Sequence, residues 1–297
     1  MLPLSIVWDV NPNLIQWDQV PIIGQLTVRY YGVLFAAAFV LGYILFMKIF
    51  KTEGITIEVL DRLTLYMVIG TIVGARLGHV FFYQPDYYLS HPHEILYIWH
   101  GGLASHGAAI GILLALYLFV RKEKKPYLWI LDRISIAVAL AGFFIRTGNL
   151  MNSEIYGTQT DLPWGFIFVR ANEVVPKHPT QIYEALAYLI IFYILYRIYF
   201  KTKGRFKPGL LFGLFLLLVF SARFLIEFIK EVQVPFEKTM ALNMGQLLSL
   251  PFIALGVILL YRVQKSPAPA QQKGQAAQKK GARGKGAKGQ AAKRKGK

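Results

Sequence analysis

The sequence predicts an all-α polytopic membrane protein with seven transmembrane helices, its N-terminus outside, its C-terminus in the cytoplasm, and a small extracytoplasmic cap. Three observations predict this class. Of 297 residues, 55% are apolar or aromatic and only 16% are Asp, Glu, Lys or Arg, against roughly 25% charge in a soluble domain. The apolar residues gather in runs of about twenty, the helical length that crosses about 30 Å of hydrocarbon. Lys and Arg, finally, concentrate in every second segment between those runs. Together these exclude an ordinary water-soluble enzyme.

Taken in chain order, the opening MLPLSIVWDVNPN has no basic n-region and no small-residue cleavage site, so no removable signal peptide is expected. The predicted spans cover residues 28–50, 60–83, 103–120, 128–146, 181–200, 210–229 and 244–263. The segments following spans one, three, five and seven hold 24 of the 33 basic residues, whereas the alternate segments hold only Arg29, Arg170, Lys177, Lys230 and Lys238. The positive-inside rule therefore sets the orientation. Residues 149–180, rich in Asn, Gly, Thr and Pro, with a β-like run at residues 164–169, form the predicted cap. Residues 84–99 carry Tyr87, Tyr88, Tyr97 and Trp99 and no basic residue, which suits an interfacial aromatic belt.

Residues 1–265 are thus one membrane domain, and residues 266–297 are a separate tail with ten basic residues, no acidic ones and no apolar side chain larger than Ala except Pro. Such a composition cannot bury a core and predicts a disordered basic cytoplasmic arm, solvated or resting on anionic lipid. No nucleic-acid partner is expected. The tail supplies ten of the seventeen net positive charges. With no cysteine anywhere, the protein has no thiol nucleophile, disulfide or Cys-type zinc site of its own. Any thiol chemistry must come from a substrate.

Ionisable side chains inside spans are costly, from about 2.5 to over 10 kcal/mol, and are functional candidates by default. At 1.5 Å per helical residue, Arg76, Arg223 and Arg146 sit about 21, 20 and 27 Å from the cytoplasmic ends of their spans. All three occupy the outer half. Tyr31 and His106 lie near the outer starts of spans one and three, and Asn149, Asn152 and Glu154 follow Arg146 directly. Glu227 stands one helical turn after Arg223. Guanidinium groups match phosphate oxygens with a planar donor fork, so arginines meeting at headgroup depth suggest capture of a phospholipid headgroup. Arg133, beside Asp132 near the inner end, reads as structural. Gly70, Gly74 and Gly78, with Gly107 and Gly111, form GxxxG steps that read first as close helix packing.

Absences narrow the chemistry. There is no GxxxxGK[ST], HExxH or GxSxG motif. His91, His93 and Glu94 in SHPHE make a weak ligand set, so neither a metal nor another cofactor is expected. A coupled transporter would also place Arg and Glu within spans, but with internal repeats, and none is visible.

Arg146 to Gly157 reads RTGNLMNSEIYG, and this block resembles the signature of the bacterial prolipoprotein diacylglyceryl transferases. RYYG at Arg29, GARLG at Gly74, HGGLASHGA at His100, KHPTQIYEA at Lys177 and ARFLIEF at Ala222 resemble the family's other blocks, in family order, over roughly residues 20–262. Ile145 and Leu150 depart from the usual Gly and Phe. The resemblance implies an enzyme of the bacterial cytoplasmic (inner) membrane, its active site facing the extracytoplasmic side. Such an enzyme moves the sn-1,2-diacylglyceryl group of phosphatidylglycerol onto the lipobox cysteine of a preprolipoprotein signal peptide. A thioether forms and glycerol phosphate is released, the first step of lipoprotein maturation.

The resemblance assigns Arg146 and Arg223 to the phosphate, with Glu227 and Glu154 orienting them and Asn149 and Asn152 bonding the glycerol headgroup or the cap. Gly157, Arg76 and His178 complete the expected phosphatidylglycerol site. A free cysteine ionises near pH 8.5, so a base or a strong positive field must favour its thiolate. His106 is the first candidate and Tyr31 the second.

Overall fold

The computed structural model describes residues 5–20, 24–98, 101–232 and 235–266. Trp99, His100 and the expected basic tail beyond Ser266 lie outside the described residues. Seven helices are long and apolar enough to cross a membrane: α1 (Tyr30–Glu53), α2 (Ile57–Tyr83), α4 (Ser105–Glu123), α5 (Tyr127–Met151), α6 (Thr180–Thr202), α7 (Leu210–Ile226) and α8 (Met244–Lys265). A six-residue helix, α3 (Pro85–Ser90), precedes α4. The predicted spans fall within a few residues of these, with one informative difference. The fourth spanning helix, α5, runs to Met151 instead of 146, so Asn149, expected at the start of the cap, belongs to the membrane helix.

The helices stop where the chain can reverse. Gly54, Lys124 and Lys203 adopt left-handed conformations at C-caps, their N–H groups bonding carbonyls of the last turn. Helix α8 begins with a reciprocal cap in which Asn243 and Gln246 exchange backbone-to-side-chain hydrogen bonds of 3.1 and 2.9 Å. Helix α7 is capped from a different helix, since the carboxylate of fully buried Asp132 accepts from the backbone N–H groups of Gly209 and Phe212. That cap lies beside a second polar knot, in which Glu53 accepts from Arg133, Trp129 and Tyr199 at 2.8, 3.0 and 2.5 Å. The structural reading of Arg133 is what the fold contains.

Helix α5 packs against α1, α6 and α7. Helices α7 and α8 pack closely too, and α2 and α4 run antiparallel so that Gly70, Gly74 and Gly78 meet Gly107 and Gly111. A Cβ on Gly70 would lie 2.6 Å from that of Ala115, and one on Gly74 would lie 2.8 Å from Gly111 Cα. The glycine rows therefore serve backbone contact.

The larger apolar core occupies one half of the bundle, and a smaller cluster of Leu150, Phe166 and Phe168 lies at the other end. Ile49, Phe50, Leu60, Leu116, Phe119, Ile130, Ile136, Leu195, Tyr199 and Leu211 are all essentially inaccessible. Each lies toward the end where α1, α4 and α6 finish and α5 and α7 begin. The opposite half, where α1, α4 and α6 begin and α5 and α7 finish, is the cap end.

The cap is knitted from pieces distant in sequence. Strand β4 (Phe166–Phe168) pairs in parallel with β1 (Ile6–Trp8), and the Trp8 indole N–H donates to the Leu150 carbonyl at 3.1 Å. The β-like run expected at residues 164–169 is thus a strand. Its partner is the N-terminal segment, for which no such role was expected. Strands β2 (Asn13–Val20) and β3 (Gly24–Arg29) form an antiparallel pair leading into α1.

Replacing Gly74 by Val should lower the thermal unfolding midpoint in detergent, with overpacking costing about 1–3 kcal/mol. Gly42→Ala is the matched control, because its new Cβ meets only Ala137 at an ordinary 4.0 Å. Equal midpoints for both variants would remove the close-packing account of the α2–α4 pair.

Candidate functional site

The cap-end halves of α5, α6 and α7 bring together a chain of charged side chains. Arg146, near the end of α5, places Nε 2.7 Å from Glu184 Oε2 in the first turns of α6. Glu184 is completely buried, and its other oxygen accepts from Lys230 Nζ at 2.9 Å. Lys230 also donates to Glu227 at 3.1 Å. Two cations and two anions thus alternate through four residues from three parts of the chain. Lys230 and Glu227 are 5% and 8% exposed, so neither relies on bulk water to offset its charge. Losing one partner of such a buried pair typically costs 3–5 kcal/mol, because the other charge is stranded.

Local structure explains how each group arrives. Glu227 opens a short 3-10 turn at the end of α7, and Gly245 at the start of α8 packs so closely on its carboxylate that a side chain there would displace it. Lys230 follows that turn and pairs with Gly157 in an antiparallel bridge. Thr158 N–H donates to the Ile229 carbonyl at 2.8 Å, and Glu231 N–H donates to that of Tyr156 at 3.3 Å. This register sends Lys230 to Glu184, while Glu231 pairs with Lys177. Gly157 is required there, since a Cβ would strike the Ile229 carbonyl and the side chains of His178 and Thr180.

Arg146 has further partners. Its Nη1 donates to Asn149 Oδ1 at 3.1 Å, one turn along α5. Asn149 Nδ2 donates at 2.8 Å to Glu154 Oε1, which also accepts from Asn152 Nδ2 at 3.2 Å. The hydroxyl of buried Tyr188 bonds Arg146 and lies within charge range of both Glu184 and Arg223. The Tyr31 ring packs on Gly148 within charge range of Glu154 and Arg146. Ser153 and Ile155 have φ of 53° and 60°, and a left-handed β-branched residue stores strain of order 1–3 kcal/mol. Among the described residues, Asn152 Oδ1, Ser153 Oγ, Gln181 Oε1 and Gln246 Nε2 are buried without a hydrogen-bond partner, and Glu184 Oε2 meets Arg146 as an ion pair without hydrogen-bond geometry.

Of the residues expected at the site, Arg146, Asn149, Asn152, Glu154, Glu227, Tyr31 and Arg223 converge here. Arg223 is only partly buried and makes no hydrogen bond or ion pair among the described residues, although Tyr188 brings it near Arg146. Glu227 is not its partner, as the one-turn spacing suggested; the 3-10 turn directs that carboxylate to Lys230. Glu154 reaches Arg146 only through Asn149. Gly157 serves the backbone, and His178 stands behind it with Nδ1 3.3 Å from the Tyr183 hydroxyl.

Two expected residues make no bond to this group. Arg76 is 4% exposed and spends four donor bonds on the carbonyls of Glu94, Ile95, Gly101 and Gly102, at 2.5 to 3.2 Å, with its guanidinium carbon 4.9 Å from the centre of the Tyr88 ring. Four of the five donors of an arginine are thereby committed to holding a loop, which corrects its assignment to the lipid. His106 is exposed in the first turn of α4 and bonds none of the Arg146 group. An open groove of about 560 Å³ lined by Tyr83, Asp86, Tyr87, Tyr88 and Glu94 shares no residue with the ion-pair chain, and ion pairing is the better mark of the site.

The residues that sequence reasoning missed are Glu184, Lys230 and Tyr188. Glu184 carried a usable signal as a carboxylate within a span. Lys230 did not, because it counts as one more loop lysine until the fold closes.

In the cap, burial acts against the Lys177 charge, but hydrogen bonds to Glu231 and Glu173 hold its pKa above the ordinary lysine value. Burial pushes Tyr156 well above the usual phenol range, with Glu173 adding to it. Burial alone lowers His178.

These features define a polytopic helical membrane protein whose cap-end half collects buried charge. The particular family follows from comparison. The model of the prolipoprotein diacylglyceryl transferase family matches residues 19–262, and the chain belongs to that family. It is 48% identical over 262 residues to the phosphatidylglycerol–prolipoprotein diacylglyceryl transferase of Tolumonas auensis, covering 88% of this chain and 98% of that protein. The proteins of the same name from Chloroherpeton thalassium and Porphyromonas gingivalis are each 45% identical, with 88% and 90% of this chain covered and 95% and 97% of theirs.

The lowered pKa of His178 has a testable sign. A folded state that binds its proton less readily than the unfolded chain loses stability as pH falls through the ordinary histidine range near 6.5. Thermal midpoints of wild type should therefore drop more between pH 7.5 and 5.5 than those of His178→Gln. Parallel pH curves would count against a partly buried neutral imidazole.

Proposed function

We propose that the protein transfers the sn-1,2-diacylglyceryl group of phosphatidylglycerol to the lipobox cysteine thiol of a preprolipoprotein. A thioether forms and glycerol phosphate leaves. The observation that carries this reading is Arg223, a partly buried guanidinium with no anion of its own, which shares Tyr188 as a neighbour with an arginine already fixed by Glu184. An anionic phosphodiester is the group that such an arrangement lacks. The names of the family and of its relatives support the same chemistry.

In the proposed reaction the peptide thiolate attacks the glyceryl C3 carbon, and the bond from that carbon to the phosphate ester oxygen breaks. Negative charge grows on the departing phosphate, where Arg223 and the open edge of Arg146 offset it. Donors of this kind act most strongly where water is excluded. Asn149 and Asn152 hold the glycerol headgroup beside Glu154. His106, at the start of α4, takes the thiol proton, and Tyr31 serves as a hydrogen-bond donor at the headgroup.

The orientation belongs to the same proposal. Basic residues crowd the end opposite the cap, so the cap and the charge chain face the extracytoplasmic side of a bacterial cytoplasmic membrane.

Purified protein incubated with phosphatidylglycerol vesicles and a lipobox peptide should add one diacylglyceryl mass to the cysteine. Arg146→Ala and Arg223→Ala should each cut this rate by about 100- to 1,000-fold while the protein still inserts; near-normal turnover in either would refute the clamp. His106→Gln should slow transfer at neutral pH and lose less at high pH, where the thiol ionises unaided. An unchanged pH profile would take the base role from His106.

A further inference from the structure

The structure assigns Lys230 and Glu184 as positioning residues for the phosphodiester, an inference that rests on the proposed transfer reaction and adds two groups to it. Neither needs to touch the lipid. Glu184 is buried with no exposure at all and holds Arg146 by Nε at 2.7 Å, which fixes how that guanidinium is presented. A carboxylate this close also repels an anionic headgroup, and Glu227 and Glu154 stand in the same half of the bundle. Lys230, bonded to both Glu184 and Glu227, compensates them.

The balance can be read from the groups themselves. Arg146, Arg223 and Lys230 face Glu154, Glu184 and Glu227, with Tyr188 bonded to Arg146 among them. Three cations meet three anions, so a monoanionic phosphodiester enters a site of no net charge. Without Lys230, two cations would meet three anions, and the lipid would have to enter against negative charge in a poorly screened medium. The bridge between Lys230 and Gly157 fixes the lysine at the seam between cap and bundle. No residue of the ladder that holds it is available to replace the charge, since Lys177 is committed to Glu231 and Glu173. Lys230 therefore sets the lipid affinity of a site whose contacts are made by Arg146 and Arg223.

Steady-state transfer with purified Lys230→Met, in vesicles of graded phosphatidylglycerol content and with a lipobox peptide, tests this. The expected result is a rise of tenfold or more in KM for the lipid with KM for the peptide unchanged. Lys230→Arg should recover at least half of the loss, because it restores the charge. The double variant Lys230→Met with Glu227→Gln, which removes the surplus anion, should bind lipid better than Lys230→Met alone. An unchanged lipid KM in Lys230→Met, or a double variant no better than the single one, would overturn the assignment. If Lys230→Met fails to fold, Lys230→Gln with retained thermal midpoint and unchanged lipid KM would overturn it equally. Wild-type protein in the same vesicles separates the two levels: transfer by wild type with an unaltered variant KM sinks this inference alone, whereas no transfer by wild type sinks the proposed reaction and this inference together.

Discussion

The cap-end half of this protein depends on the pairing of charges that a bilayer cannot hold singly. Arg146, Glu184, Lys230 and Glu227 each carry a charge into surroundings where an isolated ion costs several kcal/mol. They are tolerated because each meets its opposite within 3.1 Å. The pairs fix more than electrostatics. Through Glu184 they bind α5 to α6, through Lys230 they bind α6 to the end of α7, and through the Gly157 bridge they hold the cap onto the bundle. A pair of this kind adds little net stability over a well-packed apolar contact; what it specifies is where a guanidinium points.

That specification is possible because the two halves of the bundle divide the work. In the half away from the cap, Phe50, Phe119, Ile130 and Leu195 fill the space between helices, and Asp132 and Glu53 satisfy the polar groups that remain. This half holds the helices at fixed spacing. The cap-end half is then free to carry polar groups whose bonding is incomplete, among them the buried oxygens of Asn152, Ser153 and Gln181 and the uncommitted side chain of Arg223. Ser153 and Ile155 hold a strained turn beside them. Incomplete bonding and backbone strain are expected where a ligand is recognised, and here both occur against Arg146.

Much of the architecture was legible from residue patterns because each span carries its own evidence. A run of twenty apolar residues is a local property, and the seven helices fall almost where those runs do. The glycine rows of α2 and α4 were read as packing surfaces for the same reason. The grouping of Arg146, Asn149 and Glu154 was legible because their proximity is sequential. The partner of Arg146 was not, since Glu184 lies 38 positions on; nor was that of Glu227, whose spacing to Arg223 implied a helix that in fact tightens into a 3-10 turn. Arg76 was misleading in the opposite way. Its depth resembled that of the other arginines, but the loop from Glu94 to Gly102 folds back and takes its donors.

By itself the sequence determined the solvent this protein lives in, the number and limits of its helices, and the residue types that carry charge into them, because hydrophobicity and helix length act over neighbouring residues. Only the tertiary structure decided which charge meets which, that the first strand closes the cap, and which guanidinium is left without an anion. Coulomb pairing and close packing act through space and fall off within a few ångströms. Those distances come into being only when α5, α6 and α7 lie side by side.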